Sequence, residues 1–261
     1  MLQLIIILSV STIFSLCESA SILEKINQKC SIRDDKCMQG LYRSLLQEMS
    51  DNGIPELGVP KIDPMDLKNR EFNFLGMIKL TVTEGEAKGF KDCHATSYKS
   101  DFETHRVMIE FVCDRFTFEG SYKIESTPSL LALSGGINIH GEGNGAIDIE
   151  NVQLSFDFAT EIKKLDDGEI HIIIVPEDSS YDFEVKGKVT VQADNILVGK
   201  TEISCEVVNI FNENWQYITN TFGKNVLDKA MDVFFTLSNE FFEKTPAKNW
   251  ITEDLSAYVK S

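Results

Sequence analysis

The sequence predicts an α+β fold: a long C-terminal helix wrapped by an antiparallel β-sheet, with a short helical region at the N-terminus. Three observations predict it. Apolar residues from Trp215 to Phe241 recur in steps of three and four, the period of a helix. Residues 71–206 alternate apolar with polar, the period of strands, and no long helical pattern interrupts them. Residues 22–50 show helical spacing again, through Ile22, Ile26, Leu41, Leu45, Leu46 and Met49. Strands without intervening helices join by hairpins, so the sheet is antiparallel.

Taken in order, residues 1–20 carry one charge, Glu18, around a short apolar core from Leu2 to Val10. Small residues follow at Cys17, Ser19, Ala20 and Ser21, the pattern of a secretory signal cleaved near residue 20. The apolar run is short for a bilayer span, so no stable membrane anchor is expected. No Pro/Ser-rich linker or repeat divides the remainder, and residues 21–261 read as one elongated domain. The first helical region closes at Asp51-Asn52-Gly53. Pro55, Pro60 and Pro64 then make residues 54–64 an extended connector. At the far end, Asn212 is placed to cap the last helix and Pro246 to stop it at Thr245. Its two apolar sets, one through Trp215, Phe222 and Phe241 and one through Phe234, Phe235 and Phe242, span over half the circumference. Such a helix wants cover on most of its sides.

The formal net charge is -16, from 25 Lys and Arg against 41 Asp and Glu. That excess repels phosphate backbones and anionic lipid, which excludes nucleic acid as a partner class. In a secreted chain the cysteines imply disulfides. With Cys17 removed, Cys30 and Cys37 are the obvious pair. Cys93 and Cys113 would meet across a hairpin turning near residues 100–102, with Cys205 the alternative partner for either. There is no C-x-x-C or paired-histidine spacing for a metal, and no cofactor motif. His94, His105, His140 and His171 are scattered, and no nucleophile elbow occurs, so no catalytic residues are assigned. The run Gly141-Glu142-Gly143-Asn144-Gly145 lacks a following helix and reads as a strand connection rather than a phosphate loop.

The strand region is rich in phenylalanine, and a sheet curled on a helix can enclose a tunnel for a lipophilic ligand. Composition alone does not separate that tunnel from an ordinary core. Motifs in order along the chain resemble the takeout/juvenile-hormone-binding family of secreted insect proteins. They are Cys30-x6-Cys37, Gly53-Ile54-Pro55-Glu56-Leu57-Gly58-Val59-Pro60, Gly120-Ser121-Tyr122-Lys123-Ile124, Gly141-x-Gly143-x-Gly145, Asn195-Ile196-Leu197 and Asn209 to Trp215. The resemblance implies a strongly curved sheet and a hydrophobic tunnel between sheet and helix. It also implies carriage of juvenile hormone or another lipophilic molecule, with feeding, circadian or chemosensory roles in some members. Cys93, Cys113 and Cys205 are extra to the family's N-terminal pair, and Glu253-Asp254 replaces its usual short apolar ending.

The expectation is therefore a secreted, monomeric, non-enzymatic carrier of a terpenoid, fatty acid or quinone, with any receptor unidentified. The alternative keeps the fold but makes it an extracellular lipid- or partner-binding interaction protein. The candidate ligand lining is Phe111, Phe116, Phe118, Phe156 and Phe158 from the sheet, with Trp215, Phe222, Phe234 and Phe241 from the helix. Tyr122 is the candidate polar donor.

Overall fold

A computed structural model describes residues 29–55 and 58–259. The expected signal at residues 1–20, the helical positions Ile22 and Ile26, and Glu56-Leu57 of the connector lie outside the described residues. The chain runs α1 (Asp35–Asp51), β1 (Met65–Asp66), β2 (Arg70–Phe74), β3 (Ile78–Lys88), β4 (Cys93–Asp101) and β5 (Arg106–Ser126). It continues with α2 (Pro128–Leu133), β6 (Ile139–Lys164), β7 (Ile170–Val185), β8 (Val189–Ala193), β9 (Leu197–Val198) and β10 (Thr201–Glu202). It closes with α3 (Ser204–Glu213) and α4 (Trp215–Lys244). The strands form one sheet, antiparallel at every pairing, curled around the inner side of the long helix.

The 26-residue β6 is its spine. On one side it pairs with β5 through nearly its whole length, from Glu125↔His140 to Arg106↔Ala159. On the other it pairs in turn with β9, β8 and β7. Register shifts at Val82/Glu84, Ala95/Ser97 and Asp157/Ala159 sharpen the local twist, as bulges do.

The glycine-rich run corrects the sequence reading. Gly141, Gly143 and Gly145 are not a connection but lie inside β6, paired with Ile124, Tyr122 and Gly120. The backbone of residues 194–196 passes directly over Gly141 and Gly143. A Cβ on Gly141 would sit 1.9 Å from the Asn195 carbonyl oxygen, and one on Gly143 would sit 2.3 Å from that of Asp194. The glycines serve close approach, not flexibility.

Within the described residues the N-terminal helix runs from Asp35, and residues 29–34 before it are not helical. Asp34 caps it, its Oδ1 accepting from the Cys37 amide at 3.0 Å. Ahead of it Ile32 and Arg33 form a turn, and Cys30 bridges in parallel to Ile251 beyond α4. The Cys30 amide donates to the Trp250 carbonyl, and the Thr252 amide donates to the Cys30 carbonyl. Glu253 accepts from Ser31 Oγ and from the Ile32 amide. Disulfides join Cys30 to Cys37 and Cys93 to Cys113, the latter pair directly in register between β4 and β5. Cys205 is free and exposed.

Asn212 does not cap the C-terminal helix. The helix is divided at Asn214, whose amide closes α3 onto the Ile210 and Phe211 carbonyls. Asn212 faces the sheet instead: its Oδ1 accepts from the Val191 amide at 2.8 Å and its Nδ2 donates to the Val191 carbonyl at 3.0 Å. The stop at Thr245 stands as read, with extended backbone before Pro246.

A groove between the long helix and the sheet

The 30 residues of α4 run for about 45 Å and divide into two halves of different packing. Its buried residues are Met231, Phe235, Phe241 and Phe242, all in the C-terminal half. That half lies on a continuous apolar core with Met38 and Leu41 of α1, Ile162 and Ile172 of the sheet, and Trp250 and Ile251. Phe242 tilts against Trp250 at 5.5 Å and edges Phe241 at 5.2 Å. His171, fully buried on β7, latches this end: one ring nitrogen meets the Phe242 carbonyl at 2.9 Å and the other meets Asp167 at 3.0 Å.

The half from Trp215 to Ala230 buries none of its residues. Gly223 lets its backbone rest on the Phe183 ring, where a Cβ would come within 2.3 Å of Cζ. Phe222 meets Phe74 of β2 edge-on at 6.2 Å. Around these contacts the apolar side chains stay open. Val226, one turn on from Phe222, is 39% exposed. Ile147, in register with Phe118 and Val191, is 37% exposed. Phe234 marks the transition: it stacks on Phe156 at 5.9 Å and Phe158 at 5.5 Å, yet keeps 37% of its surface accessible. Partly exposed apolar side chains thus extend from Phe74 and Phe222 toward the packed end.

The sequence-proposed lining is distributed along this axis. Trp215, Phe222 and Phe156 are half-buried and Phe234 is more open, while Phe118 is half-buried against Phe116 with ring centroids 6.4 Å apart. Phe111 is half-buried at the far end, edge-on to Tyr42 and Phe156. Phe158 and Phe241 are buried in the core. Phe116 is buried in a separate cluster with Phe90, Val152 and the Cys93–Cys113 bridge. Tyr122 is neither a surface residue nor a free donor: it is 8% exposed, and its hydroxyl donates to the Asp194 carbonyl at 2.5 Å. Burial, reinforced by the Asp194 and Glu202 charges, pushes its hydroxyl up to about 12.

The candidate lining left out Phe74 and Phe183, which pack against the helix, and the sequence did not mark Asn212 and Asn239 as clamps. Phe74 and Phe183 carried the signal of aromatic strand positions; nothing local marks the asparagines. A concavity of about 980 Å³ lies across the Gly85–Gly120–Gly145 row and is bordered by Asp66, Glu84, Glu86, Glu119 and Asp194, with Lys68 the cation among them. Its acidic rim suits water better than a lipophilic guest. Among the described residues no group of three or more His, Cys, Asp or Glu could hold a metal, and no helix is long and apolar enough to cross a membrane.

Comparison with known proteins agrees with this architecture. The crystal structure of Epiphyas postvittana Takeout 1 superposes with a TM-score of 0.73 at 24% identity, over 87% of this chain and 100% of that one. A lipopolysaccharide binding protein is a remoter match, with a TM-score of 0.37 and 12% identity over 76% of this chain and 36% of that one. A search of curated proteins gives no match. The model of the haemolymph juvenile hormone binding protein family matches residues 4–252. The chain belongs to that family.

Proposed function

We propose that this chain is a secreted carrier that takes a slender lipophilic molecule into the groove between α4 and the sheet. The observation that carries this reading is the contrast within one helix. Its C-terminal half is packed against α1 and the sheet, whereas its N-terminal half presents Ile218, Phe222 and Val226 without burying any of them. Apolar side chains facing an apolar sheet without closing on it are stabilised by a guest that removes them from water. Juvenile hormone, named in the family's description, is one such guest in size and character. A fatty acid or a quinone meets the same requirement.

Magnitudes support a carrier with reversible binding. Burying ~15 carbons at ~0.8 kcal/mol each offers about 12 kcal/mol. Lost translational and rotational freedom offsets at least ~4 kcal/mol. The remaining ~8 kcal/mol corresponds to roughly micromolar affinity. The two disulfides fit an oxidising extracellular compartment. Tyr122, whose hydroxyl donates its hydrogen bond to the Asp194 carbonyl, retains only an acceptor for a ligand's polar end.

A second reading, a partner-binding interaction protein, rests on the exposed Ile210 and Tyr217 of α3 and α4. Native mass spectrometry of freshly purified protein separates the two. A carrier retains an apolar molecule or takes up an added C15 terpenoid or long-chain acid. An interaction module gives the bare-chain mass throughout.

A further inference from the structure

The ends of β3 and β5 bring two turns together at one tip of the sheet. Ile78 pairs with Ser126 in register, the Thr127 amide donates to the Met77 carbonyl at 2.9 Å, and the Ile139 amide donates to Ser126 Oγ at 2.8 Å. The tip therefore consists of the β2–β3 turn around Leu75 and the β5–β6 connection from residue 127 to 138, which contains α2. Three large apolar side chains stand out from it: Leu133 at 75% exposure, Leu75 at 66% and Ile137 at 50%. Gly76, Gly135 and Gly136 beside them face open space.

Neither stretch, 72–78 nor 126–139, contains a charged residue, although a quarter of the chain is charged. Charge begins directly behind the tip, in pairs of opposite sign. Lys79 meets Glu71 at 2.7 Å and Lys123 meets Glu125 at 2.9 Å. Lys123 also reaches Glu142 at 3.9 Å, so the arrangement is an apolar cap with a collar of both signs and a slight acidic excess.

We propose that this tip docks reversibly on an electrically neutral phospholipid surface, where the cargo is collected or delivered. Three side chains on two turns are far less than the ~800 Å² per partner that a stable protein interface buries. They suffice for shallow insertion into a headgroup boundary. The paired collar complements zwitterionic headgroups, which carry both signs, whereas a net charge of -16 opposes anionic lipid. The tip is also continuous with the groove. Phe74, adjacent to Leu75, is the residue that meets Phe222 of α4. A molecule leaving the lipid at Leu75 arrives at the open half of the helix. The transfer role rests on the carrier reading; the docking itself does not.

The test is flotation of the mature protein with phosphatidylcholine vesicles, beside vesicles containing a third phosphatidylserine. The wild type is expected to float with phosphatidylcholine and less with phosphatidylserine. The triple variant Leu75→Asp, Leu133→Asp, Ile137→Asp should lose binding by about tenfold or more. Methionine at the same three positions should retain it. Circular dichroism and thermal melting verify the fold of each variant, and light scattering reports any self-association. The proposal is overturned if the wild type stays unbound at millimolar lipid, if the aspartate variant floats equally, or if the tip mediates dimerisation without vesicle binding. Binding of a fluorescent fatty acid, measured without vesicles, keeps the readings apart. Docking without fatty-acid binding sinks the carrier and leaves the docking; fatty-acid binding without docking does the reverse.

Discussion

The side-chain amide of Asn239 on α4 grips the backbone of Ile174 on β7 from both sides. Its Oδ1 accepts from the Ile174 amide and its Nδ2 donates to the Ile174 carbonyl, each at 3.2 Å. Asn212 on α3 treats Val191 on β8 in the same way. Both strands pair with β6 on one side only, so the two amides satisfy groups that would otherwise be an open sheet edge. Asn239→Leu should therefore destabilise the fold by about 1–3 kcal/mol by leaving partly buried backbone groups unmade. Asn239→Asp, which keeps the acceptor and loses the donor, should fall between. Urea unfolding at neutral pH gives the comparison, and equal midpoints for all three proteins would remove the clamp.

The cysteines offer a chemical check. Peptide mapping without reduction should recover Cys30 linked to Cys37 and Cys93 linked to Cys113, with Cys205 alone alkylated. Replacing Cys93 and Cys113 together by serine should lower stability by ~2–4 kcal/mol. A free thiol at any of the four paired positions contradicts the assignment.

Glu253 links the pH dependence to the joined chain ends. Partial burial alone would raise its carboxyl. Hydrogen bonds from Ser31, Ile32 and Thr252 outweigh that and hold it below the usual glutamate range. A carboxyl lower in the folded than in the unfolded state contributes stability above its unfolded value, about 4.3. The contribution is lost as pH falls through the folded value. Glu253→Gln should thus be less stable than wild type at pH 7 and approach it near pH 3. Parallel denaturation curves with the same gap at both pH values would rule this out.

The tyrosines titrate the other side of the scale. Burial pushes the Tyr98 and Tyr122 hydroxyls up to about 12, and Tyr42 upward as well. Neutral tyrosine is the form that the fold favours, so this stability is present below the unfolded value near 10 and lost as pH rises. Absorbance titration should show a late fraction of the six tyrosines ionising together with alkaline unfolding. Ionisation of all six near pH 10 with the fold intact would contradict it.

The long helix and the sheet were legible because Trp215 to Phe241 and the alternating strands each carry a long period. The break at Asn214 was not, since the Asn212 amide answers to Val191, 21 residues away, rather than to its own helix. The glycines of β6 read locally as a turn because the backbone they accommodate, at Asp194 and Asn195, comes from far along the chain. Aromatic composition marked the ligand candidates but could not tell Phe241 from Phe222. That distinction is made by Leu41, Tyr42 and Trp250, which line one end of the helix and not the other. Segments joined only by folding decide which aromatic is core and which is wall.

The central claim is that the open half of α4 holds a lipophilic guest while the other half holds the fold. It is tested most directly by displacement of an environment-sensitive fluorescent fatty acid in wild type, Phe222→Ala and Phe241→Leu. Wild type should bind the probe near micromolar, and farnesoid or long-chain lipids should displace it while a short polar control does not. Phe222→Ala should weaken binding by about tenfold with little change in melting temperature. Phe241→Leu should do the opposite, with a loss on the order of 1–3 kcal/mol of stability. No probe binding at tens of micromolar protein, or equal affinity in wild type and Phe222→Ala, would contradict the account.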